Sequence, residues 1–210
     1  MEGIKEKFEK LIGLDKKYKI FGSFSHKYKI NPKLSEEEIL KFESENKITL
    51  PAEYREYLKT IGNGGAGPFY GLFPLGESDG GEVEFSKEFV YTRENSLNLY
   101  ELLESDEFDV EDDEAYDAKW DEIYDKAFRG FLFIAHEGCG MYSILVVNGE
   151  EYGNMWYCDF ANDAGLFPYT SPKTNGPMKF DEWLEIWLDK AIDCIETGAE
   201  ELHGYGNFIV

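Results

Sequence analysis

The stretch from Leu50 to Leu75, LPAEYREYLKTIGNGGAGPFYGLFPL, leaves a chain few ways to fold. Pro51 suits the first position of a helix, where its missing N–H costs nothing. Tyr54, Tyr57, Leu58 and Ile61 then recur at the 3.6-residue period of one buried face. Gly62 follows the last apolar residue and is expected to cap the helix in a left-handed conformation. The loop from Asn63 to Pro68 turns sharply on its glycines, and the apolar run beyond it reads as extended. A short helix, a hard stop and an apolar return are therefore expected over about 25 residues.

The rest of the chain reads as helices around a small antiparallel sheet. Ile4, Phe8, Leu11 and Ile12 predict an N-terminal amphipathic helix within residues 3–14. Lys16 to Lys29, KKYKIFGSFSHKYK, reads as a hairpin around Gly22-Ser23. Its lysines and tyrosines would suit RNA, but in so acidic a chain they read as a solvated edge packed against the acidic region. Ser35 and Glu38 form an S-x-x-E capping box, which predicts a helix over 35–46. A second helix is expected over 51–61. Ser96 or Asn98 is placed to cap a helix through Leu99, Leu102 and Leu103.

Phe131 to Ala135, Met141 to Val147 and Tyr152 to Phe160 are three short apolar runs separated by glycine turns. That pattern is an antiparallel meander within 131–160. Residues 166–178 read as a connector. Asp181 then caps a helix over 182–196 whose stripe is Trp183, Leu184, Trp187, Leu188, Ala191, Ile192 and Ile195. The class is α+β, with one mainly antiparallel sheet packed by helices. The expected organisation is a single domain over 1–210, with an acidic insert at about 76–129.

Charge is the strongest bulk signal. Lys and Arg number 21 against 43 Asp and Glu, giving a net charge of −22. Between Glu101 and Asp125 there are 13 acids and one Lys, a local charge of 1 − 13 = −12. A field of that sign repels nucleic acid and anionic lipid and speeds encounter with a basic protein. Phe108, Val110, Tyr116, Trp120, Ile123 and Tyr124 are interleaved with the acids. The second half of the run is therefore expected to be a helix anchored by aromatics, after an exposed loop from Ser105 to Glu114. The residues proposed to meet a partner are Asp106, Asp109, Glu111, Asp112, Asp113 and Glu114.

Chemistry of other kinds finds little support in the sequence. Gly62, Gly64 and Gly67 satisfy GxGxxG, but a helix precedes them where a dinucleotide site needs a strand. His136, Glu137 and Cys139 stand together without HExxH spacing, and Cys139 reads as a small packed residue in a turn. The acidic run lacks the glycine of a calcium loop, since Glu114 follows Asp113. No metal, no cofactor and no catalytic group is expected. Three scattered cysteines and no signal-like leader suit a reduced, cytoplasmic protein. No apolar run of about 18 residues is present to span a membrane.

Four motifs carry a family resemblance. LSEEEILKFESENKITLPAEY, GNGGAGP with YGLFPL, FIAHEGCGMYSILVV through YGNMWY, and F-x-x-W-L-x-x-W-L from Phe180 to Leu188 resemble the SUKH superfamily. The branch is the one typified by fungal cell-wall-assembly regulators. The match covers about 34–75 and 130–192. The resemblance implies a non-enzymatic protein-binding role, in bacteria that of an immunity protein masking a cognate toxin. The acidity of the chain suits a basic toxin such as a nuclease. The alternative is a regulatory scaffold in cell-wall assembly or signalling.

Overall fold

In the computed structural model, residues 1–105, 108 and 113–198 are described. Helix α1 (Glu2–Leu14) precedes a one-turn helix α2 (Ser23–His26), then α3 (Glu36–Asn46) and α4 (Ala52–Thr60). After a long irregular segment come strand β1 (Leu97–Asn98), α5 (Leu99–Leu103) and α6 (Asp113–Ala127). The chain closes with β2 (Phe131–Gly138), β3 (Met141–Val146), β4 (Met155–Asp159), β5 (Gly165–Pro168) and α7 (Phe180–Thr197). The strands form one antiparallel sheet in the order β1-β5-β4-β3-β2. No helix among the described residues is long and apolar enough to cross a membrane.

Alternation along the strands gives the sheet two buried faces. Leu132, Ile134, Leu145 and Met155 point to one face, which α1, α3, α4 and α7 cover. Phe131, Phe133, Ile144, Val146 and Trp156 point to the other, where Phe89, Leu99 and Ala127 pack. On the first face α7 is the main lid. Its Trp183, Leu184, Trp187 and Leu188 are fully buried, each worth about 1.5–3 kcal/mol or more of apolar burial. Phe8 of α1 meets Trp187 at 5.9 Å, and Tyr54 and Tyr57 of α4 meet Phe180 at 4.9 and 5.1 Å. The capping box at Ser35 forms in full. Arg55 of α4 reaches both Glu36 and Glu43 of α3, which fixes the two helices together.

The glycine stretch turns out to finish the sheet. Leu72 bridges Ala135 of β2, Gly65 bridges Leu72, and Ile30 bridges Gly65, each antiparallel. Three single rungs therefore continue the ladder beyond β2 and shield its edge. Gly62 is not the left-handed cap expected of it. The helix ends in αR geometry at Ile61, and left-handed backbone comes later, at Gly64 and Gly65. What Gly62 supplies is room, since a β-carbon there would lie 2.4 Å from the Asn31 carbonyl oxygen.

Several expectations shift by local chemistry. Pro51 is the N-cap of α4, one residue outside the helix, and Lys179, not Asp181, caps α7. Residues 16–29 form no hairpin. The buried Asp15 carboxylate accepts the Lys19 and Ile20 N–H groups at 2.8 and 3.1 Å, which curls the chain into a turn. The segment packs on the glycine loop instead of the acidic region, with the Ala66 N–H donating to the Lys29 carbonyl at 2.8 Å. Overlapping the expected 166–178 connector, Gly165–Pro168 pairs with β4 as a strand. Cys139 is exposed on the β2–β3 turn at φ 51°, so it is not a packed core thiol; Cys158 is.

Candidate functional site

A cleft among acidic residues lies where the 76–85 loop crosses β2. Leaving the sheet edge at Leu72, the chain turns at Gly76 and lays Gly80 directly on the Phe133 ring. A β-carbon at Gly80 would come within 2.5 Å of that ring, so nothing larger lets the loop lie this low. The result is a cleft of about 520 Å³ with Phe85, Leu132 and Phe133 among its walls and Glu77, Ser78 and Glu82 at its rim. A second depression of about 320 Å³ shares Gly81 and Glu82 and runs on past Glu84 to Tyr124, Asp125 and Phe128. The two form one groove from the 76–85 loop to the C-terminal half of α6.

Its two ends differ in charge. At the α6 end Lys87 lies 3.5 Å from Asp125 and also pairs Glu84, while Arg129 pairs Asp125. At the loop end Glu77, Asp79 and Glu82 are exposed and have no Lys or Arg partner among the described residues. Asp79 sits 3.6 Å from Nδ1 of His136. Burial, reinforced by Asp79, pushes the Tyr142 hydroxyl up to about 12, so it stays a neutral donor. Uncompensated carboxylates over aromatic walls suit a cationic side chain: the carboxylates meet the charge and the rings cover the stem.

Helix α6 extends this surface. Asp113, Asp117, Asp121 and Asp125 are spaced four apart and form one exposed stripe. Tyr116, Trp120, Tyr124 and Phe128 form the adjoining stripe at the same spacing. Their rings follow one another at 6.4, 5.7 and 5.3 Å. Like charges four apart destabilise a helix slightly, so the aromatic contacts and the buried Ala127 must hold α6 in place.

Of the six acids singled out from sequence, Asp113 and Glu114 are exposed in the first turn of α6. Asp106, Asp109, Glu111 and Asp112 lie outside the described residues. The groove acids Glu77 and Glu82, and Asp79 beside them, were not singled out. Their signal is tertiary, since the groove exists because residues 76–85 are folded against Phe133 and α6. The four-residue spacing of the two α6 stripes was readable in the sequence.

The other candidate chemistries do not assemble. His136 and Glu137 project from opposite faces of β2: the His136 ring stacks on Tyr142 at 5.0 Å, while Glu137 is fully buried on the helix-covered face. There Glu137 Oε1 accepts from Ser143 Oγ at 2.5 Å and from the Tyr169 hydroxyl at 2.6 Å. Burial pushes its carboxyl up to about 7, against the pull of those two donors. Gly64, within GxGxxG, packs against the Leu72 and Phe73 carbonyls, and Gly65 against that of Lys29. Those glycines are filled by the chain itself and cradle nothing. Among the described residues no three His, Cys, Asp or Glu side chains are grouped to hold a metal ion.

Neither the comparison with curated proteins nor that with solved structures gave a match. A sequence model of the SMI1 / KNR4 family (SUKH-1) matches residues 33–187. That span takes in α3, α4, the whole sheet, the groove and the first two turns of α7. The chain belongs to the SMI1 / KNR4 family (SUKH-1).

Proposed function

We propose that the protein is an immunity protein that binds a cognate toxin and neutralises it by covering a basic surface. The observation carrying this reading is the groove end where Glu77 and Glu82 line a cleft with aromatic walls and Asp79 stands beside it, none with a Lys or Arg partner among the described residues. A toxin that handles phosphate backbones presents Lys and Arg side chains, and those side chains fit such a groove. The α6 stripe lies beside the groove and attracts the same surface at longer range. Binding alone is sufficient for neutralisation, so no step of chemistry is needed.

The test is capture, by the purified full chain, of any toxin-like domain encoded beside this gene, with inhibition of the toxin as a second readout. Capture and inhibition by the wild type are expected. The triple variant Glu77→Gln, Asp79→Asn, Glu82→Gln should weaken capture at least about tenfold. Family membership also accommodates a non-enzymatic regulatory scaffold in cell-wall assembly. Absence of any toxin-like neighbour, with co-purification of cell-wall enzymes, would replace the immunity reading by that one.

A further inference from the structure

The cations of this acidic molecule are not evenly spread. Residues 16–33 hold six lysines (Lys16, Lys17, Lys19, Lys27, Lys29 and Lys33) and neither an acid nor an arginine. All six are exposed, and none is in an ion pair among the described residues. Phe24 projects from the middle of this segment with 72% of its surface exposed, and the Lys27 ammonium lies 5.5 Å from its ring centre. From the geometry we infer that this lysine-rich segment with its exposed Phe24 is a peripheral docking surface for an anionic lipid bilayer.

The tip is built rather than loose. Asp15, 2% exposed, accepts hydrogen bonds from the Lys19 and Ile20 N–H groups and from the Tyr28 hydroxyl at 2.8 Å. Its conformation is set before any partner arrives, so little ordering cost is left for binding. Protection of a sheet edge explains part of the basic character, because Lys29 flanks the outermost rung at Ile30 and edges are commonly guarded by lysine. It does not explain Lys16, Lys17 and Lys19, nor an uncovered phenylalanine.

Lipid fits better than nucleic acid. Stable attachment to a bilayer takes two signals, an apolar insertion and a polybasic patch, and both are present in one segment. The segment has no arginine to fork a phosphate, and long phosphate chains are held by electrostatics that a net charge of −22 opposes. That net charge also argues against an anionic surface when averaged over the molecule. Averaging conceals a local segregation, in which residues 16–33 carry six exposed lysines and no acid while exposed acids line α6 and its groove.

Flotation of the full chain with lipid vesicles tests the inference. Binding to phosphatidylcholine vesicles containing about one-third phosphatidylglycerol is expected at low salt, with none to phosphatidylcholine alone. The triple variant Lys16→Gln, Lys17→Gln, Lys19→Gln should lose about a hundredfold, near fivefold per lysine. Phe24→Ser should lose about tenfold at unchanged charge. All four side chains are exposed, so thermal unfolding should match the wild type in both variants. No binding to anionic vesicles, undiminished binding by both variants, or binding to a single-stranded oligoribonucleotide in place of vesicles would overturn the inference.

Discussion

Glu137 is the residue whose environment departs furthest from what its side chain prefers. It is fully buried, Oε1 takes two hydroxyl donors, and Oε2 has no hydrogen-bond partner among the described residues. Its carboxyl moves from an ordinary 4.5 up to about 7 in the folded protein. Between those values the folded state binds more protons than the unfolded one, so stability falls as pH rises from about 4.5 to about 7 and is level above. The full span is worth about 3 kcal/mol. Glu137→Gln should flatten that slope, so thermal unfolding of the variant should lose less stability than the wild type between pH 5 and pH 8, taken as roughly the two sides of the window. Equal slopes would show that another group carries the dependence.

Asp15 is the contrasting case, a buried carboxylate with every need met. Burial alone would raise its pKa, but hydrogen bonds from the Lys19 and Ile20 N–H groups, Tyr28 and Ser23 outweigh it and hold the group ionised. Asp15→Ala should destabilise by about 3 kcal/mol, since it strands two backbone N–H groups and a buried tyrosine hydroxyl. Denaturant unfolding measures this directly. No periodicity reveals such a residue. Nothing in the sequence marks Asp15 as buried, and the segment it organises was expected to be a hairpin around Gly22-Ser23.

At the scale of elements, the parts visible in the sequence are those made by neighbours along the chain. The capping box at Ser35, the stripe of α7 and the glycine-separated runs of β2, β3 and β4 are all local signals, and all are present. Strand β1 is two residues long and exists because Leu97 and Asn98 meet Leu166 and Gly165 across the chain. Strand β5 has four residues ending in proline and no clear alternation. Neither carries a period to read.

Helix α6 shows the same limit from the other side. Its helical character was expected from Trp120, Ile123, Tyr124 and Ala127 or Phe128, but its value as a surface depends on what lies beside it. The stripe Asp113, Asp117, Asp121 costs helix stability through like-charge contacts four apart. Asp117→Asn with Asp121→Asn should therefore stabilise the protein slightly, by about 0.5 kcal/mol, while weakening capture of a basic partner. A gain in stability with unchanged capture would make the stripe a solvated face and nothing more.

At the scale of the whole molecule, charge is locally segregated. A basic tip around Phe24 and an acidic groove beside α6 are joined by a short aromatic path: Phe21 meets Tyr70 at 5.4 Å, and Tyr70 meets His136 at 5.7 Å. Asp79 then lies 3.6 Å from His136 at the start of the groove. Composition reports the sum of these charges, and only the fold reports their separation. The most direct measurement is the association rate of the full chain with any toxin-like domain encoded beside it, by stopped flow at low and at high salt. For the wild type a fast rate that falls steeply with salt is expected. For Glu77→Gln, Asp79→Asn, Glu82→Gln the low-salt rate should be lower by about tenfold or more and less sensitive to salt. A triple variant that associates as fast as the wild type at low salt would contradict the groove as the site of capture.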